Sequence, residues 1–500
     1  MTDPAWSLAT ATALAAARGP DDVAAILPEP IPLPGIHRKT TLTFGDLETV
    51  VARAAAGLRR SGVGRGDAVA IVLRSNLDGL LAAMAAARAG ATPAFLYAGL
   101  PEVELNPLVN LANADRILGP GPEGLAAAME LAGPETLPSD IPAPDVAVVL
   151  YTSGTTGRPK GVPLRTESLE SALRFARLRP DVTPGRDDRT VAALPLAHVM
   201  GLVLALAYLE SRVPAVFLPR FSAGAVLDAI EETRASVFAG VPGIFRMLDA
   251  HADARDLSSV RLWVSGADAM PRDLARAFQH RGSSLALAGR KISPAFFVDG
   301  YGLVEATGPA LFRIMGPVGL MRKYRPLPGW RARAVDEGSG EPASPGEAGT
   351  LELSGPGVFR GYLGEEPRDR EWLRTQDLGT VSRLQGVEIT GRSEHLMKVG
   401  GHRLHPGEIE EALLRHPAIE DAGVTGVPHP TMGEVPAAGV VLSAGSTATG
   451  EELSAWVGNH LASYKVPRTV RVIDEVPRTP THKVRRNVLA ELLKDSGASA

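Results

Sequence analysis

The 500-residue sequence has no cysteine. That removes disulfides, thiolate metal sites and a thiol nucleophile together, and fits a reducing compartment. Aromatic residues are scarce, at 5%. Charge of one sign is also lacking: 52 Lys and Arg face 56 Asp and Glu, a formal charge of -4 with no basic stripe. Nucleic acid and anionic membrane are therefore poor partners. Long apolar runs are missing too, because "LLAAMAAARAGATPAFL" is broken by Arg88 and "GLVLALAYLESRVPAVFL" by Glu210 and Arg212, so neither reaches the about 18 clean residues of a membrane span. The start, "MTDP", is acidic and lacks the basic opening of a secretion signal. The expectation is a soluble cytoplasmic protein.

What is present is the balance of a packed globular chain, 45% apolar and 22% charged. The chain is too long for one core, since cores stop growing near roughly 250 to 300 residues. Residues 42–98 read as βαβ: an acid-capped start at "TLTFGD", then Leu47, Val50, Val51, Ala54 and Leu58 at helical spacing, the buried strand "AVAIVL", a helix over 77–89 and the strand "TPAFLY". The pattern returns at "DVAVVLY", running through a Gly/Thr loop into the helix "TESLESALRFARL", and again at "TVAALPL", "VPAVFLP", "ASVFAGV" and "VRLWVSG". Such alternation predicts an α/β fold with mainly parallel sheets covered by helices. After about residue 326, Gly/Pro turns and short strands predict a small β lobe. A further α+β texture follows, with the boundary set at Ser393, so the predicted domains are 1–392 and a smaller, mobile 393–500.

The loop "YTSGTTGRPKGV", residues 151–162, is the densest polar motif. A Walker loop needs glycine directly before its lysine and a hydroxyl directly after. Here Gly157 is three residues before Lys160 and Gly161 follows, so that reading fails. Phosphate binding survives: glycines let N–H groups line a concave nest, with Thr152, Ser153, Thr155 and Thr156 as hydroxyl donors and Lys160 as a cation. The plain alternative is a surface turn joining strand to helix.

This stretch resembles the signature of the adenylate-forming enzymes, which include acyl- and aryl-CoA synthetases, peptide-synthetase adenylation domains and beetle luciferases. The resemblance runs from about "TLTFGDL" to "THKVRRNVL", with the family's motifs in order. It implies a large N-terminal domain and a small C-terminal one that rotates between two half-reactions. A carboxylate first attacks the α-phosphate of ATP to give acyl-AMP and pyrophosphate, and a thiol then takes the acyl group.

The same resemblance assigns roles. Thr152, Ser153, Gly154, Thr155, Thr156, Gly157 and Lys160 would grip the β- and γ-phosphates. In "VDGYGLVEATG", Tyr301 would stack on adenine within a site of Asp299, Gly300 and Gly302, and Glu305, with Thr155, would meet magnesium. Asp377 would accept the ribose hydroxyls and Arg392 would reach ribose or phosphate. Glu394 stands at the hinge, Gly401 would line a pantetheine tunnel, and Arg392 and Arg403 would be phosphate contacts in different states. Lys483 in "VPRTPTHKVRRNVL" would be the catalytic lysine, acting electrostatically on the substrate carboxylate and α-phosphate. His198, beside the acyl site, is expected with Gly240, Val241, Phe245, Ser265, Gly266, Ala267 and Gly308 to surround a hydrophobic acid, fatty or bulky alicyclic or aromatic. Asp268 and Asp299 are expected to face turns. The plain alternatives are an exposed turn acid at Asp377, a surface ion pair between Arg403 and the Glu408 to Glu411 region, a solvated basic tail around Lys483, Arg485 and Arg486, and a core or rim histidine at His198.

Three positions depart from the family pattern: Val304 replaces a threonine, Gln376 a glycine and His482 a glycine. Each lies in an adenylation motif, while the Gly401 and Arg403 segment keeps its small residues. The resulting expectation is an ATP-, magnesium- and coenzyme A-dependent carboxylic acid ligase whose first half-reaction is slow, so that it accepts acyl-adenylate made elsewhere. Loading of a carrier-protein thiol, or a non-catalytic binder of nucleotide or acyl-adenylate, remain the alternatives.

Overall fold

The structure is a computed structural model that describes residues 6–36, 38–73, 76–119, 124–139, 144–152, 159–176, 188–287, 290–316, 319–320, 323–367, 371–392, 397–399, 402–404, 406–429, 432–478 and 484–494. The chain divides into two compact units: residues 1–331 with 353–373, and residues 332–352 with 374–500.

The first unit opens its helical layer at Thr43, whose hydroxyl accepts from the Asp46 N–H while the Asp46 carboxylate accepts from the Thr43 N–H. This reciprocal cap starts the helix Phe44–Arg60, and Leu47, Val50, Val51, Ala54 and Leu58 are all buried along it. The alanine-rich helix Asn76–Arg88 is apolar nearly all round and accordingly buried. Arg88, at 0% exposure, is held by both Glu48 oxygens, the Ala9 carbonyl and the Thr12 hydroxyl.

Two sheets lie in this unit. In the smaller one the order is Ala114–Leu118, Ala68–Ile71, Thr92–Phe95, Val146–Thr152, Lys160–Arg165, parallel except for the last strand. That last strand is a correction: between the strand ending at Thr152 and the helix lies a further strand, antiparallel to the first, with Tyr151 opposite Gly161 and Thr152 opposite Lys160. Only then does the helix Thr166–Ala176 begin.

The larger sheet has ten strands, with a parallel centre. Val237–Gly240, Leu262–Gly266 and Phe296–Leu303 run side by side in register, so Gly240, Ser265 and Asp299 stand level across three strands. The strand Gly308–Gly316 returns antiparallel, with Arg313 opposite Asp299 and Leu311 opposite Tyr301. Beneath, Phe238, Phe245, Trp263 and Phe278 pack edge to face and Phe297 lies tilted against Phe245, with ring centroids 5.0 to 6.1 Å apart.

Most of a four-stranded sheet, Arg331–Val335, Ala348–Ser354, Leu373–Val381 and Val387–Arg392, lies in the second unit. A five-stranded sheet follows, built on the long hairpin Ile419–His429 and Gly433–Leu442 and covered by the helices Pro406–Leu414, Gly450–His460 and Arg486–Lys494. Among the described residues no helix is long and apolar enough to cross a membrane.

Candidate active site

The candidate site forms where the central strands of the larger sheet end, the usual place for a ligand in an open α/β sheet. Tyr301 and Glu305 sit on one continuous stretch: the strand Phe296–Leu303, a single 3₁₀ turn at Val304–Ala306, and the return strand from Gly308. The crossing is tight. A Cβ on Gly302 would lie 1.9 Å from the Gly308 carbonyl oxygen, so that position admits only glycine. Thr307 takes a left-handed φ of 55°, uncommon for a β-branched residue. Its hydroxyl, buried, donates to the Gly357 carbonyl oxygen at 2.8 Å.

Glu305 is half-buried and doubly fixed. Its carbonyl oxygen accepts from the Phe359 N–H at 2.8 Å, and its Oε1 accepts from the Tyr362 hydroxyl at 3.0 Å. Sequence reasoning missed Tyr362, which lies in "RGYLG" with no local signal tying it to residue 305.

Asp299 does not face a turn. It is at 0% exposure in mid-strand, and its Oδ2 receives the Tyr324 hydroxyl at 2.6 Å and the Arg313 guanidinium at 2.7 and 2.8 Å. Arg313 also donates to the Met270 carbonyl oxygen and lies over the Tyr324 ring. Burial pushes the Asp299 carboxyl up from the ordinary range, against the pull of Arg313. Tyr324 meets Tyr301 edge to face at 6.4 Å. Neither Arg313 nor Tyr324 was legible as a site residue. Asp299 Oδ1 and Ser265 Oγ, on neighbouring strands, are buried without a hydrogen-bond partner among the described residues. Asp268, by contrast, is exposed in a turn, as expected.

The acyl-side residues divide. A Cβ on Gly266 would meet Met200 and the Gly300 carbonyl oxygen, and one on Gly308 would meet Val199 and Val203, so the start of the helix Val199–Glu210 closes over these strand ends. His198 is the N-cap residue of that helix, half-buried, and its ring does not cap it. Val241 precedes the helix Pro242–Ala252, and Ala267 is exposed at φ 69°. Gly240 is hemmed in by Ile244, Phe238 and Phe245. Phe245 is a correction: it is fully buried at the centre of the aromatic core, and its ring is packing rather than pocket wall. A cleft of about 430 Å³ is lined by Pro195, Leu196 and Ala197, the run leading to His198, together with Phe95, Tyr97 and Arg220.

Lys160 begins the return strand of its hairpin, with its ammonium 4.5 Å from the centre of the Tyr362 ring. Thr152 ends the outgoing strand. Ser153, Gly154, Thr155, Thr156 and Gly157 lie outside the described residues, as do Glu394, Gly401, His482 and Lys483.

In the second unit, Asp377 is buried on a strand directly opposite Arg392, so it is not an exposed turn acid. Gln376 is likewise on that strand, its side chain outward, and no turn has to tolerate it. Arg403 stands opposite Lys398 in the hairpin Met397–Val399 and His402–Leu404. Glu408, Glu410 and Glu411, its alternative partners, pair with Lys465, Arg486 and Arg415. Arg486 is half-buried, so the basic run is not simply solvated.

The chain matches the AMP-binding enzyme model over residues 13–363 and the AMP-binding enzyme C-terminal domain model over residues 408–483. The chain belongs to the AMP-binding enzyme family. It is similar to a feruloyl-CoA synthase of Amycolatopsis sp, at 33% identity over 90% of this chain and 93% of that protein. Its fold is similar to ATP-bound MatB from Rhodopseudomonas palustris, with a TM-score of 0.81 and 28% identity over 97% of this chain and 99% of that one. It is also similar to o-succinylbenzoate coenzyme A synthetase from Bacillus subtilis in complex with ATP and magnesium, with a TM-score of 0.80 and 26% identity over 97% and 99% of the two chains. Within the family it is an acyl-CoA synthetase, an acid-thiol ligase that uses ATP, magnesium and coenzyme A.

The residues fit these groups. The buried, unpartnered Asp299 Oδ1 beside Tyr301 suits the amino group of a base. No cluster of three metal-ligating side chains exists among the described residues. Magnesium needs only one or two protein carboxylates when substrate phosphates and water supply its other ligands, and Glu305 would supply one.

Proposed function

We propose that the enzyme joins hydrophobic carboxylic acids, fatty or bulky alicyclic or aromatic, to coenzyme A through an acyl-adenylate, with a slow first half-reaction. In that step a carboxylate oxygen of the acid attacks the α-phosphorus of ATP, the bond to the bridging oxygen breaks, and acyl-adenylate and pyrophosphate form. In the second step the thiol loses its proton, sulfur attacks the acyl carbon and AMP leaves.

The Lys483 ammonium offsets the negative charge that develops on the α-phosphate oxygens, acting electrostatically. Lys160 and the loop from Thr152 to Gly157 hold the phosphate tail. Glu305 and Thr155 hold magnesium, which neutralises phosphate charge when bound. Tyr301 stacks on the base, flanked by Gly300 and Gly302, with Asp299 accepting from it, while Asp377 and Arg392 bind the ribose. The part from residue 393 onward turns about Glu394 between steps and brings Gly401 and Arg403 to the thiol. His198, Gly240, Val241, Ser265, Gly266, Ala267 and Gly308 surround the acid. Its apolar character is supported by Met200, Val199 and Val203 at those strand ends and by relatives named for feruloyl and long-chain fatty acyl groups.

One observation carries the slow first step. Val304 packs its side chain against the apolar core. The next hydroxyl along, Thr307, is buried and spent on the Gly357 carbonyl. The turn bearing Glu305 therefore offers no hydroxyl to the α-phosphate. Pyrophosphate release from ATP with acids of graded bulk, compared with thioester formation from the matching synthetic acyl-adenylates, tests the proposal. Fast conversion of adenylate with slow release from acid is expected, and equal rates overturn the slow step. Replacing coenzyme A by a carrier-protein thiol distinguishes the two acceptors.

A further inference from the structure

Tyr362 touches both charged groups assigned to the phosphate end of the nucleotide. Its hydroxyl donates to Glu305 Oε1 at 3.0 Å, and its ring face carries the Lys160 ammonium at 4.5 Å. Among the described residues no ion pair joins Lys160 and Glu305 directly. The tyrosine itself is held from several sides. Leu363 donates its N–H to the Gly161 carbonyl oxygen at 2.8 Å, Phe359 donates to the Glu305 carbonyl oxygen, and the Phe359 and Tyr362 rings meet edge to face at 4.9 Å. A Cβ on Gly161 would lie 2.5 Å from the Leu363 side chain, so the two segments pack closely here.

We infer that Tyr362 is a positioning residue that couples the phosphate-loop lysine to the magnesium carboxylate. The inference rests on the roles proposed for Lys160 and Glu305. The two contacts reinforce each other. A phenol that donates to a carboxylate pushes electron density into its ring, which strengthens the ring's hold on an ammonium. The ammonium in turn makes the phenol a better donor. Glu305 is thereby oriented for the metal as a hydrogen-bonded carboxylate ligand should be. Lys160 is kept beside the phosphate tail without being neutralised by the very carboxylate the metal needs.

The substitutions Tyr362→Phe and Tyr362→Leu separate the contacts, since phenylalanine keeps the ring and loses the hydroxyl while leucine loses both. Calorimetry on the full-length protein would measure AMP and ATP binding in EDTA, and then the magnesium concentration that half-saturates the ATP complex. For Tyr362→Phe the magnesium half-saturation is expected to rise by about tenfold, as for loss of an outer partner of a metal ligand, with metal-free binding of AMP and ATP unchanged. Tyr362→Leu is expected to lose a further roughly two- to fivefold in metal-free ATP affinity, the worth of an exposed cation–π contact, again with AMP unchanged. An unshifted magnesium requirement in Tyr362→Phe overturns the inference, and so does an equal fall in all affinities, which would mark general damage. Wild-type protein that binds neither AMP nor ATP overturns the ligase reading itself, and is recognised without any variant.

Discussion

Val304→Thr is the most direct probe of how this enzyme divides its work. Threonine is nearly the shape of valine and equally β-branched, so the 3₁₀ turn at Val304–Ala306 keeps its backbone. One methyl becomes a hydroxyl beside Glu305, on a half-buried side chain that packs against the core. If that hydroxyl finds no partner, the protein loses about 1 to 3 kcal/mol. If it reaches the α-phosphate it acts where charge develops. An ordinary hydrogen bond of about 1.4 kcal/mol already gives roughly tenfold, and a preorganised donor to a transition state roughly 100-fold or more. Thr307 cannot mask the result, because its hydroxyl is buried on the Gly357 carbonyl. Single-turnover pyrophosphate release from ATP and a good acid substrate is therefore expected to rise by about tenfold to 100-fold, with thioester formation from synthetic acyl-adenylate unchanged. A folded Val304→Thr protein whose pyrophosphate release moves less than about twofold would refute the reasoning that ties slow adenylation to this side chain.

Lys483→Ala is expected to stop pyrophosphate release from acid and ATP while leaving acyl-adenylate conversion to thioester largely intact; unchanged ligation from acid would remove the lysine from its assigned role. Asp299→Ala leaves the mostly buried Arg313 without its counter-ion and is expected to cost about 3 to 5 kcal/mol in chemical denaturation, whereas Tyr324→Phe, which loses one hydrogen bond to a charged group, should cost about 1.5 to 3 kcal/mol. Asp78, in the first turn of the helix Asn76–Arg88, has its carboxyl pushed up to about 6 from 3.8 by burial. Because the folded value is the higher, the stability it contributes is present below pH 3.8 and is lost as pH rises through about 6. The difference of 2.2 units amounts to at most ~3 kcal/mol, less what the helix N-terminus returns to the ionised form. Asp78→Asn should flatten this part of the pH–stability curve, and an unchanged curve would show that Asp78 does not carry it.

The helices and parallel strands were legible in the sequence because their signals are local. The reciprocal cap at Thr43 and Asp46, the apolar spacing through Leu58 and the buried run at residues 68–71 each announce an element within one or two turns of chain. The strand Lys160–Arg165 was not legible. "KGVPLR" carries a proline that reads as a break, yet it lies at the edge of its sheet, where a missing N–H leaves no ladder bond unmade. Asp299 was misread for a similar reason: the glycines of "VDGYG" suggested a turn, whereas Gly302 is required by the close return of Gly308 alongside a continuous strand. Phe245 looked like pocket lining, since an apolar side chain near a strand end reads the same whether it faces a ligand or the core.

The sequence by itself determined the adenylate-forming motifs, their order and the departure at Val304, because backbone-gripping glycines and single charged side chains act from fixed places along the chain. Only the tertiary structure decided what holds those groups. Asp299 meets Tyr324 and Arg313 because the strand after Gly308 turns back on its neighbour. Glu305 meets Tyr362 because a segment over fifty residues on is stitched to the same turn. No local spacing encodes either meeting: a hydrogen bond depends on where two atoms lie in space, and chain return, not chain distance, brings them together.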